Sequence, residues 1–161
     1  MYLHAQQAPG SLLHTARRPG PKHLTLLSSA KLVPVPADKL NAVWPALSKW
    51  VDRARSEAHM PVDLDAIKAK LDARDMQLWG VRIDGRTVGA VVSEVYGTTC
   101  ALPYVAGEHI REWLHLLSVI EEWARQNGCT RIEGNGRAGW ERLLKRQGWR
   151  AVQVTVVKEL E

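Results

Sequence analysis

Phenylalanine is missing altogether from this 161-residue chain, although seven tryptophans and three tyrosines are present. Cysteine is nearly as scarce, with Cys100 and Cys129 alone. Two cysteines cannot build a disulfide framework and neither has a partner at metal-site spacing, which excludes a secreted disulfide scaffold and a zinc-ribbon class. No apolar run approaches the roughly eighteen residues of a membrane span. The N-terminus has neither the compact apolar block nor the small-residue cleavage site of a secretory signal. The expectation is a soluble protein of a reducing compartment with no membrane partner. What remains is ordinary globular usage, 45% hydrophobic and 24% charged, at a length that suits one domain.

Acidic residues are absent from the first 37 positions, since the first is Asp38. The same stretch holds Arg17, Arg18, Lys22 and Lys31. Removing these four from the 22 Lys and Arg leaves eighteen against 17 Asp and Glu, so nearly all of the +5 net charge belongs to the N-terminal arm. Residues 1–31 also carry Pro9, Gly10, Pro19, Gly20, Pro21 and three of the six histidines, with no sustained apolar period. This composition predicts an extended basic arm over residues 1–31, unable to fold alone, ahead of a folded domain over residues 32–161. Leu12, Leu13, Leu24, Leu26 and Leu27 are candidate anchors on a neighbouring subunit, with Arg17, Arg18 and Lys22 placed to meet acidic rim groups.

From Leu32 the pattern is regular. Leu32–Val35, interrupted by Pro34, suits an edge strand. Asp38 is a candidate cap for a helix with the stripe Leu40, Val43, Leu47, Trp50 and Val51, which Pro45 should kink or restart. A second helix follows Pro61, with Asp63 as cap and Leu64, Ile67 and Leu71 on one face. Met76–Ile83 and Arg86–Tyr96 flank Asp84-Gly85, the strongest hairpin signal in the chain. Thr98–Val105 reads as a strand. Glu108–Asn127 reads as the longest helix, with Ile110, Trp113, Leu114, Leu117, Ile120 and Trp123 as its stripe and Gly128 closing it. Cys129–Glu133 is a strand, Arg137–Gln147 a helix ending at Gly148, and Trp149–Leu160 a long last strand. A hairpin followed by alternating strands and helices predicts an α/β fold, a mixed β-sheet flanked by helices.

Three segments carry a family resemblance: LWGVRIDGRTVGAVVSEVY (Leu78–Tyr96), EHIREWLHLLSVIEEWARQNGC (Glu108–Cys129) and GWERLLKRQGWRAVQVTVVKEL (Gly139–Leu160). Over residues 32–161 the chain resembles the GNAT superfamily of acyl-CoA-dependent N-acetyltransferases, and most of all the GNAT-like proteins encoded by bacteriophages, some of them among virion genes. The resemblance implies a GNAT-like sheet and a CoA-diphosphate loop between the fourth strand and the next helix. That loop reads Arg or Gln, two residues, Gly, one residue, then Gly or Ala, because small residues let backbone N–H groups approach phosphates.

Here the equivalent residues are Val105, Ala106, Gly107, Glu108 and His109, a degenerate version with one glycine and a carboxylate where an anion would sit. The family's tyrosine, four residues before the Gly-aromatic turn, protonates the departing thiolate. The matching position before Gly148-Trp149 is Leu144, which cannot donate a proton. By position Glu94 and Glu133 are the candidate general bases, against their plainer reading as solvated strand-end carboxylates. His109 and His115 read as surface histidines, and the cysteines as small buried residues.

The reading these residues favour is a non-catalytic GNAT-fold structural or assembly protein of a bacteriophage virion, binding neighbouring virion subunits through its arm and needing no cofactor. The alternative is a divergent N-acetyltransferase of the cytoplasm, with acetyl-CoA as donor. A third is accessory nucleic-acid contact through the arm and the basic cluster Arg131, Arg137, Arg142, Lys145, Arg146 and Arg150.

Overall fold

The hairpin that the sequence marks most strongly is the centre of the molecule. In the computed structural model, which describes residues 29–136 and 139–160, β2 (Met76–Ile83) and β3 (Arg86–Tyr96) pair in antiparallel fashion. Asp84 and Gly85 turn the chain between them with φ of 49° and 77°, the left-handed pair that a two-residue hairpin requires. The arm residues Leu12, Leu13, Arg17, Arg18, Lys22, Leu24, Leu26 and Leu27 lie outside the described residues, as does Arg137.

β1 (Lys31–Pro34) pairs antiparallel with β2 at one edge of the sheet, where Pro34 needs no ladder partner for a missing N–H. Just before it, the Ser29 hydroxyl donates to the Asp84 carboxylate and accepts from the Asp84 N–H at 2.8 Å. Ser29 is therefore held beside the hairpin turn. β4 (Thr99–Gly107) pairs antiparallel with β3, and β5 (Arg131–Gly134) pairs parallel with β4. The five strands lie in the order β1-β2-β3-β4-β5, a mixed sheet.

Helices cover both faces. α1 (Leu40–Glu57) and α2 (Leu64–Asp72) lie on one, burying Leu47, Trp50, Val51, Ile67 and Leu71 against Leu78, Val92 and Tyr104. α3 (Ile110–Trp113), a 3-10 turn over Leu114–Leu116, and α4 (Leu117–Gln126) lie on the other. There Trp113, Leu114, Leu117 and Ile120 pack on Trp79, Val81, Val88 and Val91. A register shift opposite Ser93 gives β4 an extra residue, so Leu102 faces one core and Tyr104 the other.

Several details depart from the sequence expectation. α1 runs through Pro45 without a break. Pro45 forfeits one bond, to the Asn41 carbonyl, and the buried face of the helix outweighs that loss. Asp38 makes no capping bond and lies in a short 3-10 turn before α1, whereas Asp63 does cap α2, accepting from the Ala66 N–H at 2.9 Å. The single helix expected over Glu108–Asn127 is divided, because the 3-10 turn sets Trp113, Leu114 and Leu117 into the core together. Trp149–Leu160 is not a strand: residues 150–160 are exposed and join no sheet. α5 (Trp140–Leu144) and the 3-10 turn after it end at Gly148, whose φ of +85° closes the helix.

Candidate functional site

β4 runs two residues further than its sequence pattern suggests, and this changes the expected loop. Val105, Ala106 and Gly107 are strand residues, paired with Val91, Ala90 and Gly89 of β3. Only Glu108 and His109 form the connection. The Glu108 N–H donates to the Val88 carbonyl at 2.8 Å, and its carbonyl accepts the Trp113 indole N–H at 2.8 Å. Both backbone groups are thus engaged within the protein. His109 takes a left-handed conformation, φ 52°, before the single turn of α3.

Gly107 is required for packing. A Cβ there would lie 2.8 Å from the Val88 carbonyl oxygen, 2.9 Å from the Trp113 ring and 3.0 Å from the Gly89 Cα. Gly89 answers across the ladder, its own Cβ position 2.7 Å from the Ala106 carbonyl oxygen. The space that a glycine frees is therefore occupied by the protein itself. Two carboxylates, Glu108 and Glu112, stand at this helix start, the second 3.7 Å from His109 Nδ1. The two carboxylates and the engaged Glu108 N–H oppose the positive local potential and free donor that a CoA diphosphate needs at this position. Leu144 lies in the same core as Trp113, 7% exposed, and presents no donor.

Glu94 and Glu133 are brought together by a register that the sequence conceals. Both pair with Ala101, one from β3 and the other from β5, so they flank β4 in one row. Lys70 Nζ lies 3.3 Å from Glu94, and Arg131 lies 3.2 Å from Glu133. The Tyr96 hydroxyl also donates to Glu133, a bond that holds its proton and raises its pKa. Tyr104 is buried, and burial raises its pKa as well. Beside Glu94 opens a groove of about 990 Å³, lined by Lys70, Arg74, Asp75, Gln77 and Ser93.

The row does not join the loop. Ala101 and Gly107 stand six residue steps apart in β4, about 20 Å along an extended strand. Sequence reasoning missed Tyr96, Lys70 and Arg131 as partners of the carboxylates. Tyr96 was within reach of a period-two reading, because it stands two residues beyond Glu94 in one strand.

The remaining candidates are plain. Cys100 is buried, and burial pushes its thiol up to about 11, so it is a poor nucleophile at neutral pH. Among the described residues no cluster of His, Cys, Asp and Glu is arranged for a metal ion, and no helix is long and apolar enough to cross a membrane. Arg131, Arg142, Lys145, Arg146 and Arg150 are exposed, as are His109 and His115.

No protein-family model matches the sequence, and no curated protein matches it. Solved structures do match the fold. A predicted acetyltransferase with acetyl-CoA from Clostridium acetobutylicum superimposes with a TM-score of 0.58 at 7% identity, over 81% of this chain and 96% of that one. The aminoglycoside N-acetyltransferase AAC(6')-Iy in complex with CoA gives 0.56 at 12% identity, over 83% and 95%. The ribosomal-protein-alanine N-acetyltransferase of Brucella melitensis biovar Abortus 2308 gives 0.54 at 15% identity, over 83% and 100%. With its mixed five-stranded sheet and helices on both faces, this chain has the GNAT acetyltransferase fold.

Proposed function

We propose that this chain is a GNAT-fold protein that has given up acyl-CoA chemistry and serves as an assembly protein, contacting neighbouring subunits of a bacteriophage particle. The observation that carries the reading is the filled space at Gly107, where the Trp113 ring and the Val88 carbonyl stand against the glycine. Glu108 and Glu112 beside it would repel an anion, and Leu144 in the core supplies no proton to a thiolate. The phage setting comes from the sequence resemblance, and contact through the arm from the composition of residues 1–31. Acetyl-CoA titrated calorimetrically into the full chain tests the first part: no saturable heat is expected, and micromolar binding overturns the reading.

A second reading, N-acetyl transfer to an amine, is favoured by one arrangement. Glu94 and Glu133 flank a single strand with Tyr96 bonded to the latter, a row of carboxylates suited to holding a cationic amine. Acetylation of an amine that is lost in Glu133→Gln would put this reading first.

A further inference from the structure

We propose that the outer face of α5 and the turn after it, carrying Arg142, Lys145, Arg146 and Arg150, docks the phosphate backbone of a nucleic-acid duplex without regard to base sequence. The inference goes beyond the proposed function and does not depend on whether the chain binds acetyl-CoA.

The packing of α5 decides which of its side chains point outward. Leu144 is buried in the same core as Trp113, and Trp140 and Leu143 pack against that cluster. Trp140 is seated on Gly136, where a Cβ would lie 3.0 Å from its Cγ. These three residues recur at three and four steps and define one inward stripe. Arg142, Lys145 and Arg146 are related in the same way, fall on the opposite side, and are all exposed. Arg150 follows just past Gly148 and is exposed too.

These cations lack counter-charges. On the other helices Arg53 is held by Glu57, Arg55 by Asp52, Lys68 by Asp72, and Arg125 by Glu121 and Glu122. Arg142, Lys145, Arg146 and Arg150 form no ion pair with any described residue. Residues 139–158 contain five Lys and Arg against Glu141 alone, whereas residues 38–136 contain twelve against fourteen Asp and Glu. Positive charge is thus gathered on one segment of a body that is otherwise slightly acidic, which orients a polyanion toward α5. Helix stability does not call for all of it. The helix dipole favours cations in a last turn, but Arg150 lies past the closing Gly148, outside that turn.

The composition of the face favours nucleic acid over an acidic protein. A protein interface needs an apolar or aromatic centre, and the outward residues Glu141, Arg142, Lys145 and Arg146 supply none. Nucleic-acid interfaces are instead polar and strongly positive. With no aromatic ring on this face, unpaired bases have nothing to stack on, so a duplex fits better than a single strand. A DNA duplex carries one charge per ~1.7 Å of its axis. Cations three and four residues apart on a helix stand about 5–6 Å from one another, so each finds a phosphate. Such contacts position the duplex and carry no base information.

The test follows the full chain with a fluorescently labelled DNA duplex of mixed sequence, by anisotropy at several salt concentrations. Saturable binding is expected at low salt, weakening steeply as salt is added. The fourfold variant Arg142→Gln, Lys145→Gln, Arg146→Gln, Arg150→Gln should lose ~100-fold or more in affinity at low salt. It should also flatten the log–log salt slope by about 3 to 4, since each phosphate contact contributes about 0.9. Melting should be unchanged, because these side chains are exposed. Should the fourfold variant fail to fold, Arg142→Gln and Arg150→Gln taken singly should each flatten the slope by about 1. Arg142→Lys with Arg146→Lys and Arg150→Lys keeps the charge and should keep the slope. An RNA duplex run beside the DNA tells which backbone the face takes, and binding of either sustains the proposal. It is overturned if wild type binds neither duplex, or if the fourfold variant leaves the slope unchanged. Binding that is lost instead in Arg17→Gln with Arg18→Gln and Lys22→Gln, or polyglutamate that binds more tightly than either duplex, would also overturn it.

Discussion

β2 and β3 lie between two layers of buried side chains, whereas β5, α5 and the residues after them have one layer and an open side. In the first region Trp79 and Val81 face one core while Leu78 and Met76 face the other. The Trp79 indole N–H even finds a partner there, the buried Ser93 hydroxyl at 2.8 Å. In the second region the four residues of β5 are exposed or half-buried, and the chain beyond Trp149 is exposed throughout its described residues. The lesson is that a common fold divides its labour. The hairpin half carries both cores, and β5 adds only four exposed or half-buried residues to the sheet.

That division predicts an ordered set of losses. Trp113→Ala, which empties the centre of one core and frees the Glu108 carbonyl, should cost ~3–5 kcal/mol in chemical denaturation. A smaller loss would mean that α3 is an ornament on the sheet. Gly107→Ala comes next, at about 1–3 kcal/mol, because its methyl group meets backbone and indole rather than open space. Retention of full stability would show that the glycine is free for a ligand after all. Asp63→Ala removes the one side-chain cap seen on α2 and should cost ~1 kcal/mol.

The gentlest effect is one of pH. The Cys100 thiol sits at about 11 in the folded chain, above its usual 9.0, because burial opposes the thiolate. Its contribution to stability is therefore complete below pH 9 and is lost as pH rises through 11. Thermal melts of wild type should fall across that window more steeply than those of Cys100→Ala, and equal slopes would contradict the buried thiol.

The same comparison explains what could be read from the residues. The hairpin was legible because Asp84-Gly85 specifies its own turn, and α2 because Asp63 and its stripe are local. The stripe from Trp113 to Ile120 was also legible as a core face, but its division by a 3-10 turn was not, since three large side chains compete for one cavity there. Gly107 looked like a remnant of a phosphate loop; only the approach of Gly89 and Val88 from another strand reveals its packing role. Glu94 and Glu133 stood out one by one, while their common partner Ala101 depends on a parallel register set by tertiary structure. Trp149–Leu160 has a strand's pattern, yet a strand needs a neighbour, and no pattern within the segment says where one lies.

The most direct measurement is a calorimetric titration of the full chain with acetyl-CoA, run beside Glu108→Gln with Glu112→Gln. If the Gly107 connection is closed by Trp113 and guarded by carboxylates, wild type gives no saturable heat, and removing both charges gains little because the space stays filled. Micromolar binding by the wild-type chain, weakened by Gly107→Ala, would contradict this and return the protein to the acetyltransferases whose fold it shares.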